Sequence, residues 1–333
     1  MSVGTSQGSR GVALEAGIAR ALRFVAAQLG SGGQWPSRRH ERADRTDEGR
    51  HETSPFVTAL GVLALSGVDD SLAEAIRRHS RTHLVGTMQP PGLWRYYRDV
   101  PLDVDTSSIA TLALERRHPW LREGRNVPQL LAARVPDGRF RLWLMPRTPI
   151  AGEIDAVVNA NAVALLGKRR ETMAAVRWIV EVVERREARE FSWYYRDRLD
   201  LALATQRAAD AGVPSLRGAA YACAACAAAR LEREAGALPP HRLSQAIIAA
   251  CWDPSSRQAA ELARAQDRLL ACQVSDGSWP AGLLYVGAEP PDPPTLWFSS
   301  KTVTTALCAR ALRILSRVSR GCSRKVESRP RLV

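Results

Sequence analysis

A chain of 333 residues, 45% of them hydrophobic, can bury a large core, yet it has no apolar run of about 18 residues to cross a bilayer and no apolar N-terminal segment of the signal-peptide kind, so a cytoplasmic location is the default. The formal net charge of +13 raises a nucleic-acid partner, but only Lys168, Lys301 and Lys325 are lysines, the arginines are scattered, and with no nucleic-acid module or basic stripe the Arg- and Ala-rich composition reads as high-GC coding. A basic surface still suits an anionic membrane face, which leaves peripheral membrane association open, and six cysteines without a secretion signal argue for free thiols.

In chain order, residues 1–12 are polar and Gly/Ser-rich and are expected to be disordered. From Ala13 to Gln28 apolar residues recur at helical spacing and stop before Gly30, a usual helix terminator. A pattern then begins that recurs three times: Gln28 with Gly33-Gln34-Trp35, Gln89 with Gly92-Leu93-Trp94, and Gln273 with Gly277-Ser278-Trp279, plus a degenerate copy at Gly138-Arg139-Phe140. Three Gln–Gly–Trp matches mark internal repetition, in which Trp35 and Trp279 are braces and not catalysts.

With those turns as punctuation, helices come in pairs. Outer candidates are 13–29, 70–84, 125–134, 170–186, 215–233 and 257–273; inner candidates are 54–66, 104–116, 155–167, 196–211, 241–252 and 299–316. The inner segments are apolar with small residues, whereas several outer ones carry Arg/Glu stripes, and a helix apolar all round is a buried one. Six such pairs make an all-α fold, an (α/α)6 barrel of two concentric helix rings over residues 13–316. Outside the pairs lie the charged segment 37–53, expected as a solvated surface loop with covering of the cavity mouth as the alternative, and the basic tail 317–333. Cys223-Ala224-Ala225-Cys226 has no second pair and no flanking histidines, and reads as small-residue helix packing.

The stretch around which the rest is organised runs from Pro91 to Ala113. An aromatic cluster (Trp94, Tyr96, Tyr97) precedes Asp103-Val104-Asp105-Thr106-Ser107-Ser108, which opens an apolar run ending near Leu114. Asp and Ser/Thr oxygens accept the free N–H groups at a helix start, so one reading is a capped helix and nothing more. Two carboxylates two residues apart exceed what one cap needs, and beside large rings they suit acid chemistry on an apolar substrate.

This stretch resembles the segment of squalene–hopene cyclases and other class II terpene cyclases in which a Gly/aromatic run precedes Asp-x-Asp-Asp-Thr-Ala. Thr106 stands where the common pattern has a third Asp, and is similar to Asp-x-Asp-Thr-Thr variants of the superfamily. The Gln/Trp repeats resemble those of the squalene cyclase and prenyltransferase β-subunit superfamily. Ser54-Pro55-Phe56-Val57-Thr58-Ala59, Glu153-Ile154-Asp155-Ala156-Val157 and the segment from Pro294 to Lys301 are similar to its helix starts and closing aromatic loop. Squalene–hopene cyclases carry two such barrels, and this chain matches only the acid-bearing one.

The resemblance implies a protonation-initiated cyclase acting on a hydrophobic isoprenoid, a polyprenyl or meroterpenoid substrate. In it Asp105 is the general acid, with Asp103 and Thr106 as its companions in the motif. Protonating an alkene makes a carbocation, so the site needs a water-shielded acid and walls that tolerate positive charge. One carboxylate kept ionised by helix N–H groups would raise its neighbour's pKa, and burial would raise it further. Ring faces stabilise a desolvated cation by about 0.5–2 kcal/mol each. Trp94, Tyr96, Tyr97, Trp143, Trp193, Tyr194, Tyr195, Trp297 and Phe298 stand in loops leading to inner helices as the expected substrate wall, with simple filling of the barrel mouth as the alternative for any one ring.

Asp155 and Asn159, at i and i+4 on one inner helix, and Asn161 beside them, either line the cavity or cap and pack. Aromatic residues total 6%, modest for folding a long polyene, which favours a smaller substrate. Arg95, Arg98, Arg196 and Arg198 adjoin the aromatic clusters and could hold a diphosphate. No cofactor is required by the mechanism, and Mg2+ enters only with a diphosphate substrate; monomer and homodimer both fit. The alternative function is a non-catalytic lipid- or partner-binding barrel that keeps the acidic motif as a cap. A sugar-active barrel is weaker still, and a prenyltransferase β-subunit is disfavoured because no Asp/Cys/His zinc set stands at matching positions.

Overall fold

Helices alternate along the chain between two rings. In the computed structural model, which describes residues 3–114, 124, 126–144, 154–185, 191–256, 259–287 and 294–327 with side chains from Gly11 to Ser319, the outer ring is α1 (Val3–Gln28), α3 (Ser71–Thr87), α5 (Asn126–Ala132), α7 (Met173–Glu184), α9 (Arg217–Glu234) and α11 (Ala259–Ala271). The inner ring is α2 (Pro55–Ala64), α4 (Val104–Leu114), α6 (Ala156–Leu166), α8 (Arg198–Asp210), α10 (Pro240–Ala250) and α12 (Lys301–Glu327). Each inner helix packs on the next, and α12 packs back on α2, so the ring closes. Every residue of α6 is buried, the all-round apolar character its Ala/Val sequence requires. This is the six-pair barrel that the sequence pattern predicts. Among the described residues no helix is long and apolar enough to cross a membrane, and no disulfide joins the described cysteines. Burial pushes the Cys223 thiol up to about 12, which fits a packing residue.

The helix ends differ from expectation at both termini. The first helix begins at Val3, within the Gly/Ser stretch expected to be disordered, and α12 continues past residue 316 through the basic segment to Glu327. Extending a helix that already exists fixes one residue per hydrogen bond without a new nucleus, so weak formers are carried along.

A four-stranded antiparallel sheet is the other addition to the expected fold. Its strands β1 (Pro36–His40), β2 (Arg50–Thr53), β3 (Gly282–Gly287) and β4 (Leu296–Ser300) lie in the order β2-β1-β4-β3. Much of the segment expected as a surface loop, 37–53, is therefore strand, and the last inner helix starts at Lys301 and not at 299. The physical reason is ring closure. Because α12 packs on α2, the segments leading into them run side by side, and their backbones pair with Arg38 opposite Ser299 and His40 opposite Trp297.

The Gln–Gly–Trp repeats tie outer helices to inner ones in one way three times. The indole of Trp35 donates to Ser80 Oγ at 2.8 Å, that of Trp94 to the Leu84 carbonyl at 2.8 Å, and that of Trp279 to the Leu269 carbonyl at 2.7 Å. Each Trp backbone N–H donates to a hydroxyl on an inner helix, Thr58, Ser107 or Thr305. The glycine two residues earlier is needed twice over at Gly277. Its φ is +88°, and a Cβ there would stand 2.6 Å from the Arg20 carbonyl oxygen of α1.

Candidate active site

The start of α4 holds both carboxylates, and the backbone gives them different tasks. Asp103 caps the helix: its Oδ1 accepts the Thr106 N–H at 2.6 Å, and its carbonyl accepts the Ser107 N–H. Its Oδ2 is buried without a hydrogen-bond partner, and burial lifts the carboxyl to about 7. Asp105, one residue inside the helix, is released from capping. It is 5% exposed, and its two oxygens are claimed by side chains from α6 and the segment before α8. Asn161 donates to Oδ1 at 2.8 Å and the Tyr195 hydroxyl to Oδ2 at 2.5 Å.

Burial lifts Asp105 from 3.8 to about 6, while those two donors pull the other way. The neighbouring charge that raises it is that of Asp155 and not of Asp103, so burial, more than repulsion within the pair, is what perturbs both acids. Behind Asn161 stands a cation: Arg207 of α8 donates from Nη1 to Asn161 Oδ1 at 2.6 Å. The amide thus carries a guanidinium's polarisation to the carboxylate without placing the cation in contact with it.

Asp103, Asp105 and Thr106 form one side of a cavity of about 240 Å³ at the end of the barrel where the inner helices begin. The opposite side is aromatic. Tyr285 of β3 and Phe298 of β4 stack at 4.9 Å and 23°, Phe56 meets Tyr285 edge-on at 5.0 Å, and Tyr96 packs edge-on against Tyr97 at 4.3 Å. Tyr96 and Tyr285 share a 2.6 Å hydrogen bond, and Tyr97 donates to Glu52 of β2. Trp143, Tyr194 and Tyr195 complete the rings around the cavity.

Of the expected wall residues, Tyr96, Tyr97, Tyr194, Tyr195, Trp143 and Phe298 thus meet in one place, and others do not. Trp94 is fully buried as a repeat brace, like Trp35 and Trp279. Trp297 alternates with Leu296 and Phe298 along β4; those two face the cavity, so Trp297 falls on the other face of the strand. Trp193 does not reach the cavity, and its backbone N–H donates to Asp155.

Asp155 and Asn159 take the second of their two expected roles. Asp155, wholly buried, caps α6 by accepting from Val157 and Val158, and it also accepts from the Ser192 hydroxyl and the Trp193 and Tyr194 backbones, which fixes the segment that carries Tyr195. Asn159 accepts the Phe140 N–H and donates to the Phe140 carbonyl, both at 2.8 Å. It is the degenerate repeat's counterpart of the hydroxyls that hold Trp35, Trp94 and Trp279. The expected diphosphate clamp is not assembled either. Arg95 is bound to Gln89 and the Arg98 carbonyl, while Arg196 and Arg198 line a different cleft.

The chain has the fold of a type II terpene cyclase. A structure of a variant of the type II terpene cyclase MstE from Scytonema, in complex with geranylgeranyl dihydroxybenzoate as substrate, superimposes with a TM-score of 0.70 at 15% identity, over 93% of this chain and 99% of that one. A protein from Actinoplanes gives a TM-score of 0.70 at 19% identity, covering 91% and 99%. A possible member of the GH105 family from Salmonella enterica is more distant, with a TM-score of 0.55 at 12% identity, covering 93% and 94%. No family model matches the sequence, and no curated protein matches it.

Three contributors to the site escaped the sequence reading. Tyr285 sits in a short apolar run, Gly282–Gly287, that becomes a strand only because β4 lies beside it. Phe56 was legible only as part of a helix start. Arg207 carried the one available signal, a charge on a helix whose faces are otherwise mostly buried.

Proposed function

We propose that this protein is a protonation-initiated terpene cyclase, with Asp105 as the general acid toward a terminal alkene of a polyprenyl or prenylated aromatic substrate. The observation that carries the reading is Asp105 itself: a buried carboxyl facing an aromatic cavity, uncommitted to helix capping, with two preorganised donors on its oxygens. In the proposed step the alkene π electrons take the Asp105 proton, a C–H bond forms, and the adjacent carbon becomes cationic. Tyr195 and Asn161 receive the negative charge left on the carboxylate, the arrangement that makes electrostatic stabilisation effective in a dry site. Ring faces of Tyr96, Tyr285 and Phe298 line the space where positive charge migrates as further alkenes attack. Loss of one proton from the last cation returns the balance to zero, so the reaction is an isomerisation with no redox step.

The likeness to MstE supports this reading at the level of the fold, and a geranylgeranyl dihydroxybenzoate is accordingly the first substrate to offer. Incubation of the purified protein with a panel of polyprenyl alcohols, diphosphates and prenylated benzoates, with mass spectrometry of the extracts, should yield a cyclised isomer of at least one. Retention of a panel member unchanged on the protein, with no isomer from any, would favour the lipid-binding alternative.

A further inference from the structure

At the other end of the barrel, where α2, α4, α8 and α10 finish, lies a second cavity of about 820 Å³. Much of its wall is apolar, with Leu112, Ile248 and Trp252 among the lining residues, yet three guanidinium groups line it, Arg207 of α8 and Arg310 and Arg317 of α12, the last of them paired with Asp69. Arg207 uses only Nη1, on Asn161, and Arg310 reaches the Leu63 carbonyl at a long 3.4 Å. Neither forms a salt bridge among the described residues. Two acids stand nearby: Asp210, on the cavity wall, accepts the Trp252 indole N–H at 3.0 Å and acts on Arg310 through its charge alone, and Asp69 is held by Arg317. Burial and the charge of Arg207 push Arg310 down to about 10. Two cations that share a recess and repel one another are relieved by an anion between them, and forked guanidinium donors match phosphate oxygens.

We propose that this rear cavity is a second binding site, for a phosphate- or diphosphate-bearing amphiphile whose headgroup lies between Arg207 and Arg310 and whose tail lies along Leu112, Ile248 and Trp252. The site is distinct from the acid-bearing cavity and stands whether or not the cyclase reading does.

Titration calorimetry of the full chain with octyl phosphate, octanol and inorganic diphosphate tests it without any need for turnover. Octyl phosphate should bind at least tenfold more tightly than either of the others. Arg310→Gln should weaken octyl phosphate at least tenfold, and Arg310→Lys less, because a lysine keeps the charge and loses the fork. Removing one of two repelling cations should leave the thermal transition intact, which the same preparations report. Octanol binding as tightly as octyl phosphate would reduce the cavity to an apolar recess, and diphosphate binding as tightly would remove the amphiphile. Equal affinity in Arg310→Gln, or no binding to the wild type, would overturn the site.

Discussion

Replacing Asp105 by Asn removes the proposed acid while keeping its shape, and the structure sets both its chemical and its thermodynamic signature. An amide has one acceptor oxygen, so it can satisfy either Tyr195 or Asn161, which donate to the two oxygens of the wild-type carboxylate. The donor left over costs about 1–3 kcal/mol. Against this, the wild-type carboxyl carries a burial penalty when ionised. Its folded-state pKa, raised from 3.8 to about 6, lies above the unfolded value, so its stability contribution is complete at low pH and is lost as pH rises through about 6. At about 1.4 kcal/mol per tenfold, the loss is about 3 kcal/mol over the whole window, of which about 1.4 kcal/mol falls between pH 5 and pH 8. The variant has nothing to titrate there. Asp103, raised to about 7, titrates in both proteins; the burial that dominates its shift cancels in the difference, and only the smaller contribution from the Asp105 charge does not. Thermal unfolding should therefore show Asp105→Asn gaining on the wild type between pH 5 and pH 8. Cyclisation at either pH should fall by about 10²–10⁴-fold or more, the usual worth of general acid catalysis. A folded Asp105→Asn protein that turned over at near the wild-type rate would refute the mechanism, and a stability difference independent of pH would refute the burial argument.

Further outcomes follow from the same geometry. With protonated Asp105 as the proposed acid, kcat/KM should fall about tenfold per pH unit above about 6, read from a rate profile over pH 5–9. Tyr195→Phe removes a donor that favours the carboxylate, so the midpoint of that profile should move to higher pH while the maximal rate drops by about 10²-fold, comparable to loss of an oxyanion donor. Trp94→Phe should destabilise the fold by about 1–3 kcal/mol through the lost indole hydrogen bond to the Leu84 carbonyl, which keeps the Thr87 hydroxyl at 3.2 Å, and through the volume the smaller ring leaves empty, with product composition unchanged by mass spectrometry. Asn159→Ala, which severs both ties to Phe140, should likewise lower the denaturation midpoint without altering the products.

The parts of this molecule legible in the sequence are those fixed by local periodicity. Inner helices such as Ala156–Leu166 are apolar on every face, outer ones alternate, and Gly at the turns marks where one gives way to the other, so the pairing of rings follows without long-range information. The sheet was not legible, because Arg38, Arg39 and Arg50 carry no strand signal of their own; pairing is imposed by the meeting of the first and last inner helices, α2 and α12. The site shows the same division. Asp105 is marked by its local motif, but whether a ring faces the cavity depends on its register in a strand or repeat, as Phe298 against Trp297 and Tyr96 against Trp94 show. Polar residues on an inner helix are ambiguous for the same reason: Asn159 and Asn161 are two positions apart, and one braces a turn while the other holds the acid.

An acid that protonates an alkene must satisfy two opposed demands, holding its proton near neutral pH and surrendering it to a very weak base. Burial serves the first by penalising the carboxylate, as at Asp103 and Asp105 alike. Only Asp105 also meets the second, since Tyr195 and the Arg207-backed Asn161 are oriented on its oxygens before any charge develops there. Asp103 has one oxygen committed to the helix cap and the other without a donor, so proton loss from it would leave a buried charge poorly compensated. The two carboxyls therefore differ less in how readily they are protonated than in what receives them once the proton has gone, and that difference is the ground for proposing Asp105 as the donor. An apolar substrate filling the cavity would exclude the remaining water, raising the cost of ionisation and strengthening the donors' hold on the product carboxylate together.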